Sequence, residues 1–377
     1  MCINMRHPLE ILISPFVFSL ALSLSCAAVA SPNLSVKCGP TPSEINISKK
    51  SRIKTYTREY WLIAEKQILQ LKNPDLKKKG VVVGDFHFNN LSIQPDRVSG
   101  KNAAILNDFD DVGENFLVGD YIKFLIFLEI EDKKIDLNRI NKSYLNGLMG
   151  KTSSAPQEIE ELLNISDKAR FKEEKKYHAN KLKEAAAFEI EKLSRKQILR
   201  YTAMSETSEV RQLSNPRLIF KTNDSGSSIG TERYEFVSDQ EVESLEDDKN
   251  IIEFKELKCS ATGNHEKQNI KEMHDEYKRF YTKHFPHSTA LAFQKIKMID
   301  DSYFLVRFKQ NNLFKNIDFD KLNILAKQIV AEYFAEYLGR FHAESTNPQY
   351  VEAVSSQYGE IKILKDLIFN EFEEEVK

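Results

Sequence analysis

Two short stretches of the chain gather the residue types that phosphoryl chemistry uses. In "GVVVGDFHFNN" (80–90) a valine run delivers Asp85, His87, Asn89 and Asn90 to one loop. In "AAILNDFDDVGEN" (103–115) a second apolar run delivers Asp108, Asp110 and Asp111. Three carboxylates on one short loop repel one another, and burial raises the cost further. A hard divalent cation, Mg²⁺ or Ca²⁺, relieves that repulsion through oxygen ligands. Phosphoryl transfer asks for such a cation on the phosphates and for a further carboxylate to orient the attacking hydroxyl. Asp85, five residues before Asn90, fits the base; Asn90 and Asp108 fit the metal ligands, and Asp110 a further one.

Two other uses of the acidic loop compete with this one. As an EF-hand, Asp108, Asp110 and Gly113 fall at loop positions one, three and six. Val112 then stands where the fifth position needs oxygen, and Gly119 where the bidentate Glu belongs, so this use is rejected. As a haloacid-dehalogenase-type phosphatase, "DFDDV" supplies D-x-D-x-[TV], with Asp108 as nucleophile and Asp110 as acid/base. The late G-D-x-x-x-D motif would then precede the nucleophile, with Asn89 in place of its acid. That phosphatase stands as a second alternative.

A phosphate-holding unit is legible farther along. "SGSSIGTERYEF" places Gly226, Ser227 and Gly230 in a turn between strands, where backbone approaches phosphate closely. Lys255, in "IIEFKELK", lies on a following strand and points opposite to Ile252 and Phe254. Its carboxylate partner is Glu272 or Glu276, one helical turn apart.

The elements that position these residues follow from periodicity. Short buried strands at 81–83 and 103–106 carry the two loops. "REYWLIAEKQILQLK" (58–72) sets Trp61, Ile68 and Leu71 near one helical face. Residues 120–131 read as a buried apolar helix, and 167–205 as charged helix. After Pro216 come strand, glycine turn and strand, a strand around Lys255, helix at 269–284 and strand at 302–309. A long helix at 322–343 and an acidic helical end at 366–377 complete the chain.

The D-x-x-x-x-N stretch, followed by an Asp after a strand, resembles the H-G-D-x-H-x-x-N … I-D-F/W-x-D pattern of aminoglycoside phosphotransferases and choline kinases. Val83 replaces the His before Gly-Asp, and His87 is present. Asp120, in "VGDYIKFL", matches that family's later Asp, which the resemblance implies braces the loop from a helix N-terminus. In such kinases the phosphate-holding lobe comes first, whereas here "YFLVRFK" and "AEYLGRFHAES" follow the catalytic loop. "GDFHFNN", "NDFDD", "GSSIGTERY", "FKELKCS", "YFLVRFK" and "LGRFHAES" resemble, in that order, the bacterial uncharacterised family called domain of unknown function twenty-two fifty-two, over about 60–345. Leu91, Glu232 and Glu344 depart from its pattern, whereas Arg233 and Arg307 match it.

The resemblance implies an α+β, two-lobed protein-kinase-like fold in circularly permuted order, helical lobe first and small β-rich lobe second. A helical catalytic lobe would span 56–215, with catalytic loop 84–90 and metal loop 107–111. A β-rich nucleotide-binding lobe would span 216–310, and helices at 311–377 would complete the first lobe. The implied function is a Mg²⁺-dependent phosphotransferase using ATP or another nucleotide, with Gly226, Ser227, Gly230 and Lys255 on the phosphates and the acceptor unknown. The alternative is a pseudokinase that binds a nucleotide or partner without catalysis.

Composition agrees with a globular protein of near-neutral charge. Of 377 residues, 54 are Lys or Arg and 56 Asp or Glu, and no basic arm points to nucleic acid. The first thirty residues differ: Arg6, an apolar stretch from Ile11, and Ala28-Val29-Ala30 have the form of a secretory signal at 1–30. The expectation is export after cleavage near Ala30, with a membrane anchor as the alternative if uncleaved, and a polar leader at 31–55. No other segment suits a membrane. Cys38 and Cys259 would remain, as a pair in an oxidising compartment or as two separate thiols.

Overall fold

An apolar helix in the first half of the chain, Leu117–Glu131, is buried on all sides along Leu117–Leu128, as a helix without a polar face must be. The computed structural model of the protein describes residues 49–95, 102–106, 111–153, 156–157, 167–223, 230–243, 250–257, 262, 295–309, 315–316 and 319–376. The signal and leader up to residue 48, the expected helix at 269–284, Cys38 and Cys259 lie outside them.

In chain order the elements are α1 (Lys49–Thr55), α2 (Thr57–Leu69), β1 (Lys79–Val82), β2 (Leu91–Pro95), β3 (Asn102–Leu106), β4 (Gly113–Phe116), α3 (Leu117–Glu131) and α4 (Leu137–Leu148). Next come α5 (Asp167–Ala186), α6 (Arg195–Ser205), α7 (Ser208–Arg211), β5 (Arg217–Thr222), β6 (Glu232–Val237), β7 (Ile251–Glu256), β8 (Lys295–Ile299) and β9 (Ser302–Phe308). The last are β10 (Lys315–Asn316), α8 (Ile324–Ala343), α9 (Pro348–Ser356) and α10 (Tyr358–Glu375). The protein is therefore mixed α+β, as expected.

The described strands form three antiparallel sheets: β1 with β4; β10-β2-β3; and β5-β6-β7-β9-β8. One apolar core joins α2, α3 and α4 to α8, α9 and α10, so the two ends of the described chain share a single interior. Within the five-stranded sheet, residues alternate between faces. Leu218, Tyr234, Phe236, Ile252, Phe254, Phe304 and Val306 form an outer-face core with Met204 and Val210 of α6 and α7.

Three expectations need correction. The leader does not run to residue 55, because Lys49–Thr55 is helical and buries Ile53 and Thr55. The charged helix at 167–205 is broken: Ser194 caps α6 through a capping box with Gln197, starting a new helix. The segment 167–213, expected with the first helices, packs on the sheet instead. Ala185 joins Ile219, Val237 and Ile251 on one face, and Met204 and Val210 cover the other.

α4 crosses α8 at two glycines. A Cβ on Gly147 would lie 2.1 Å from the backbone oxygen of Glu336, and one on Gly339 2.2 Å from that of Tyr144. Gly147→Ala is expected to destabilise by about 3 kcal/mol, the upper range for overpacking, in urea unfolding. Gly359→Ala, with no heavy atom near its Cβ, is expected to shift stability by less than about 1 kcal/mol.

Candidate functional site

The valine run ends on a backbone reversal that only glycine accommodates. Val82 and Val83 are buried, and Gly84 has φ +83°, the left-handed region. A Cβ there would lie 2.1 Å from the oxygen of Asp111 and 2.5 Å from Thr262 Cγ2. Thr262 donates to that same Asp111 oxygen at 2.9 Å, and Asn115 Nδ2 donates to the Thr262 oxygen. Gly84 thus lets the start of the acidic loop and the chain beyond β7 close onto the 84–90 loop.

Beyond the reversal, Asp85 lies buried among four partners. Lys123 Nζ donates to Oδ1 at 2.7 Å, and His87 Nε2 and Asn90 Nδ2 donate to Oδ2 at 3.1 and 3.2 Å. Thr57 Oγ1 lies 3.3 Å from Oδ1, but it has a single proton and sits closer, at 3.0 Å, to the Lys54 oxygen. Lys123 spends its three protons on Asp85, Thr57 Oγ1 at 3.0 Å and the Gly84 oxygen at 3.1 Å. Trp61 Nε1 donates to the same Gly84 oxygen at 2.9 Å. Burial pushes the Asp85 carboxyl up, but Lys123 and His87 overcome this and hold it far below the usual carboxylate range. Burial pushes the His87 imidazole down, and Asp85 only partly offsets that. The ionised carboxylate only accepts, so the neutral ring carries its proton on Nε2.

The loop is also held from behind. Asp120, in the first turn of α3, accepts Val83 N at 2.7 Å and Gly84 N at 3.1 Å, the brace expected of it. His342 Nε2 meets the same carboxylate at 3.1 Å; its Nδ1 meets Tyr144 OH at 2.8 Å, which in turn meets Tyr350 OH at 3.2 Å. This buried chain ties the ends of α8, α4 and α9 to the two peptide groups before Asp85.

Asn90 is placed by its amide nitrogen, which donates to the Asp85 backbone oxygen at 3.0 Å as well as to Oδ2. Its Oδ1 is left as a hard oxygen donor, which suits a Mg²⁺ ligand. Asp108 and Asp110 lie outside the described residues, as do Gly226, Ser227, Glu272 and Glu276. Among the described residues, no three His, Cys, Asp or Glu side chains cluster to hold a metal.

Gly230, φ +77°, closes the β5–β6 turn by donating to the Asn223 oxygen at 2.8 Å. Lys255 is fully buried on β7, between Arg233 of β6 and Leu305 of β9. Ile252 and Phe254 point to the outer-face core, so Lys255 points away from them, as expected. Two residues before it on the same face, Glu253 is fully buried and takes Arg233 Nη1 at 3.1 Å, Arg307 Nε at 2.5 Å and Lys309 Nζ at 3.0 Å. Burial raises the Glu253 carboxyl, but Arg307, Lys309 and Arg233 hold it well below its usual value. Glu232, where the resembled pattern has arginine, lies on the outer face and pairs with Arg200 Nη1 of α6 at 2.7 Å. That departure leaves the Lys255 face untouched.

Lys123, Thr57 and Glu253 were missed from the sequence. A signal for Lys123 was present: it is the sole cation in "LVGDYIKFLIFLEIE", three residues after Asp120 on an otherwise apolar helix. A lysine buried there requires a carboxylate.

Lys123→Met strands the Asp85 charge and is expected to cost about 3–5 kcal/mol, with part regained in the Lys123→Met/Asp85→Asn double variant. Urea unfolding of the four proteins measures this. Histidine adds a pH dependence. The unfolded chain protonates His87 near pH ~6.5, whereas the folded chain keeps it neutral to lower pH. The unfolded state then binds more protons, so stability falls as pH drops below ~6.5. The urea midpoint should fall between pH 7.5 and 5.5, and less steeply in His87→Gln. Comparison with protein-family models, with curated proteins and with solved structures finds no match to this chain.

Proposed function

We propose that this protein is a kinase-like, Mg²⁺-dependent phosphotransferase, exported, with a two-lobed fold in circularly permuted order, acting from a nucleotide onto a hydroxyl acceptor. The observation that carries this reading is the coupling of Asp85 to Asn90. One amide fixes the carboxylate through Nδ2 and keeps Oδ1 for a cation, while Asp120 fixes the peptides before it.

Bound Mg²⁺ would neutralise phosphate charge, with Asn90 and Asp108 as its ligands and Asp110 as a further one. Gly226, Ser227, Gly230 and Lys255 would hold the phosphates. Asp85 would accept the hydrogen bond of the attacking hydroxyl at Oδ1, in the place Thr57 shares weakly. Held so acidic, the carboxylate is a weak base; its work is to orient the hydroxyl and take its proton late, which suits a loose transition state.

A second reading, a pseudokinase, draws support from that same weak basicity and from the scarcity of ATP outside the cytoplasm. The phosphatase alternative fares worse. It needs Asp108 on the central strand of a parallel sheet, whereas β3, which leads to Asp108, pairs antiparallel with β2 and has no second described partner.

Asp85→Asn is expected to lower transfer from ATP·Mg²⁺ at least ~100-fold while nucleotide affinity stays within a few-fold. Transfer assays on alcohols, sugars and aminoglycosides, beside a binding titration, measure both. Undiminished turnover in the variant would refute the assignment. Binding without transfer by the unaltered protein would favour the pseudokinase.

A further inference from the structure

The face of the five-stranded sheet that carries Lys255 is built in two charged layers. The lower layer is carboxylate: Glu253, 0% exposed, and Glu235, 3% exposed. The upper layer is cationic: Arg307, Arg233 and Lys309, whose side chains are 20%, 23% and 26% exposed. The register sets this order, since Glu235, Glu253 and Arg307 are paired neighbours across β6, β7 and β9, and Arg233 pairs with Lys255 in the next row. Lys309 bridges both carboxylates, and Lys181 of α5 reaches Glu235 at 2.5 Å. Glu184 of α5 also takes Lys181, at 3.3 Å, so four cations meet three carboxylates among the described residues. Arg233 Nε is buried without a hydrogen-bond partner.

The same face offers no described slot for an aromatic ring. Its apolar positions Ile219, Val237 and Ile251 are packed against α5, and Leu305 belongs to the main core. A site for a nucleobase is lined mostly by apolar groups. Here the residue beside Lys255 on β7 is Glu253 within its ion cluster, and a ring placed over it would desolvate charges without replacing their partners. Phosphate oxygens have the opposite fit: they accept from guanidinium forks and ammonium groups that the lower carboxylates already hold in place.

We propose that this face binds an oligophosphate chain by its charge alone, without selecting a base, so that an inorganic oligophosphate serves as ligand as well as a nucleoside triphosphate does. The proposal deepens the phosphotransferase reading and rests on it for the ligand's role as donor. In that role the acceptor hydroxyl displaces the shortened oligophosphate from the terminal phosphorus, and one proton is released. An inorganic donor also removes the need for ATP outside the cytoplasm.

Calorimetric titration of the full chain with tripolyphosphate, ATP and GTP, with and without Mg²⁺, tests the proposal. The three ligands should bind within about tenfold of one another. Arg233→Gln and Lys309→Gln should each weaken all three by about 10-fold or more, the loss of a charge-assisted hydrogen bond. Thermal unfolding without ligand reports whether each variant remains folded, and a variant that does not is replaced by Arg233→Lys or Lys309→Arg, expected to bind more weakly than the unaltered protein. ATP bound more than about 100-fold tighter than tripolyphosphate and GTP would overturn the proposal, as would no binding at all, or binding that the folded variants leave unchanged. If ATP alone binds and supports transfer, this surface is wrong and the phosphotransferase stands. If tripolyphosphate binds as expected but no hydroxyl is phosphorylated from any of the three, the surface stands and the phosphotransferase fails.

Discussion

An ammonium and a carboxylate buried side by side, Lys123 and Asp85, set the constraint around which the site is arranged. Removing both from water costs several kcal/mol per ion unless geometry and further hydrogen bonds offset it. The structure meets that condition on both sides. Lys123 spends every proton, on Asp85, Thr57 and the Gly84 oxygen. Asp85 takes His87 and Asn90 on its other oxygen. Because Thr57 opens α2 and Lys123 lies in the middle of α3, the pair also fixes how those helices approach the loop. A rotation of α3 would leave the Asp85 charge without its ammonium, and a rotation of α2 would leave a Lys123 proton without the Thr57 hydroxyl.

The second constraint is conformational. Gly84 turns the chain through a left-handed backbone conformation, and the energy that holds such a turn must come from outside it. Asp120 supplies part of it by capturing the two peptide N–H groups at the turn. Its own orientation depends on His342, Tyr144 and Tyr350. Helices near the end of the chain thereby position a loop near its beginning. The polar relay and the shared apolar core therefore link the same two ends of the described chain.

What was legible in the sequence follows the range of each interaction. Asp85 and Asn90 are five residues apart, so they are close in sequence; the spacing together with the flanking strands singled them out, while the hydrogen bonds between them are seen only in the fold. Asp120 was legible only through the resemblance to the kinase-like pattern, and the direction of Lys255 through the two-residue alternation of a strand. Lys123 broke the apolar helix of Asp120 but has a partner 38 residues away, and spacing cannot name such a partner. The Glu253 cluster depended on strand register, which sets Arg307 beside Glu253 only once β9 pairs with β7. The break between α5 and α6 was written in "SRKQ", a capping-box pattern that the uniform charge of the region concealed. The packing of 167–213 on the sheet could not be read, because its apolar residues fit either neighbour until the sheet's two faces are known.

Asp85 and Glu253 are buried carboxylates of opposite design. Around Asp85 one ammonium and neutral donors balance one negative charge, and every Lys123 proton is committed. That environment favours a fixed orientation over strong attraction. Around Glu253 and Glu235 the cations outnumber the carboxylates and lie nearer the solvent. The carboxylates there offset the repulsion of close cations and hold their side chains in place. A balanced cluster fixes one orientation, whereas a cation-rich one would, on the proposal made above, draw an anion; phosphoryl transfer requires both.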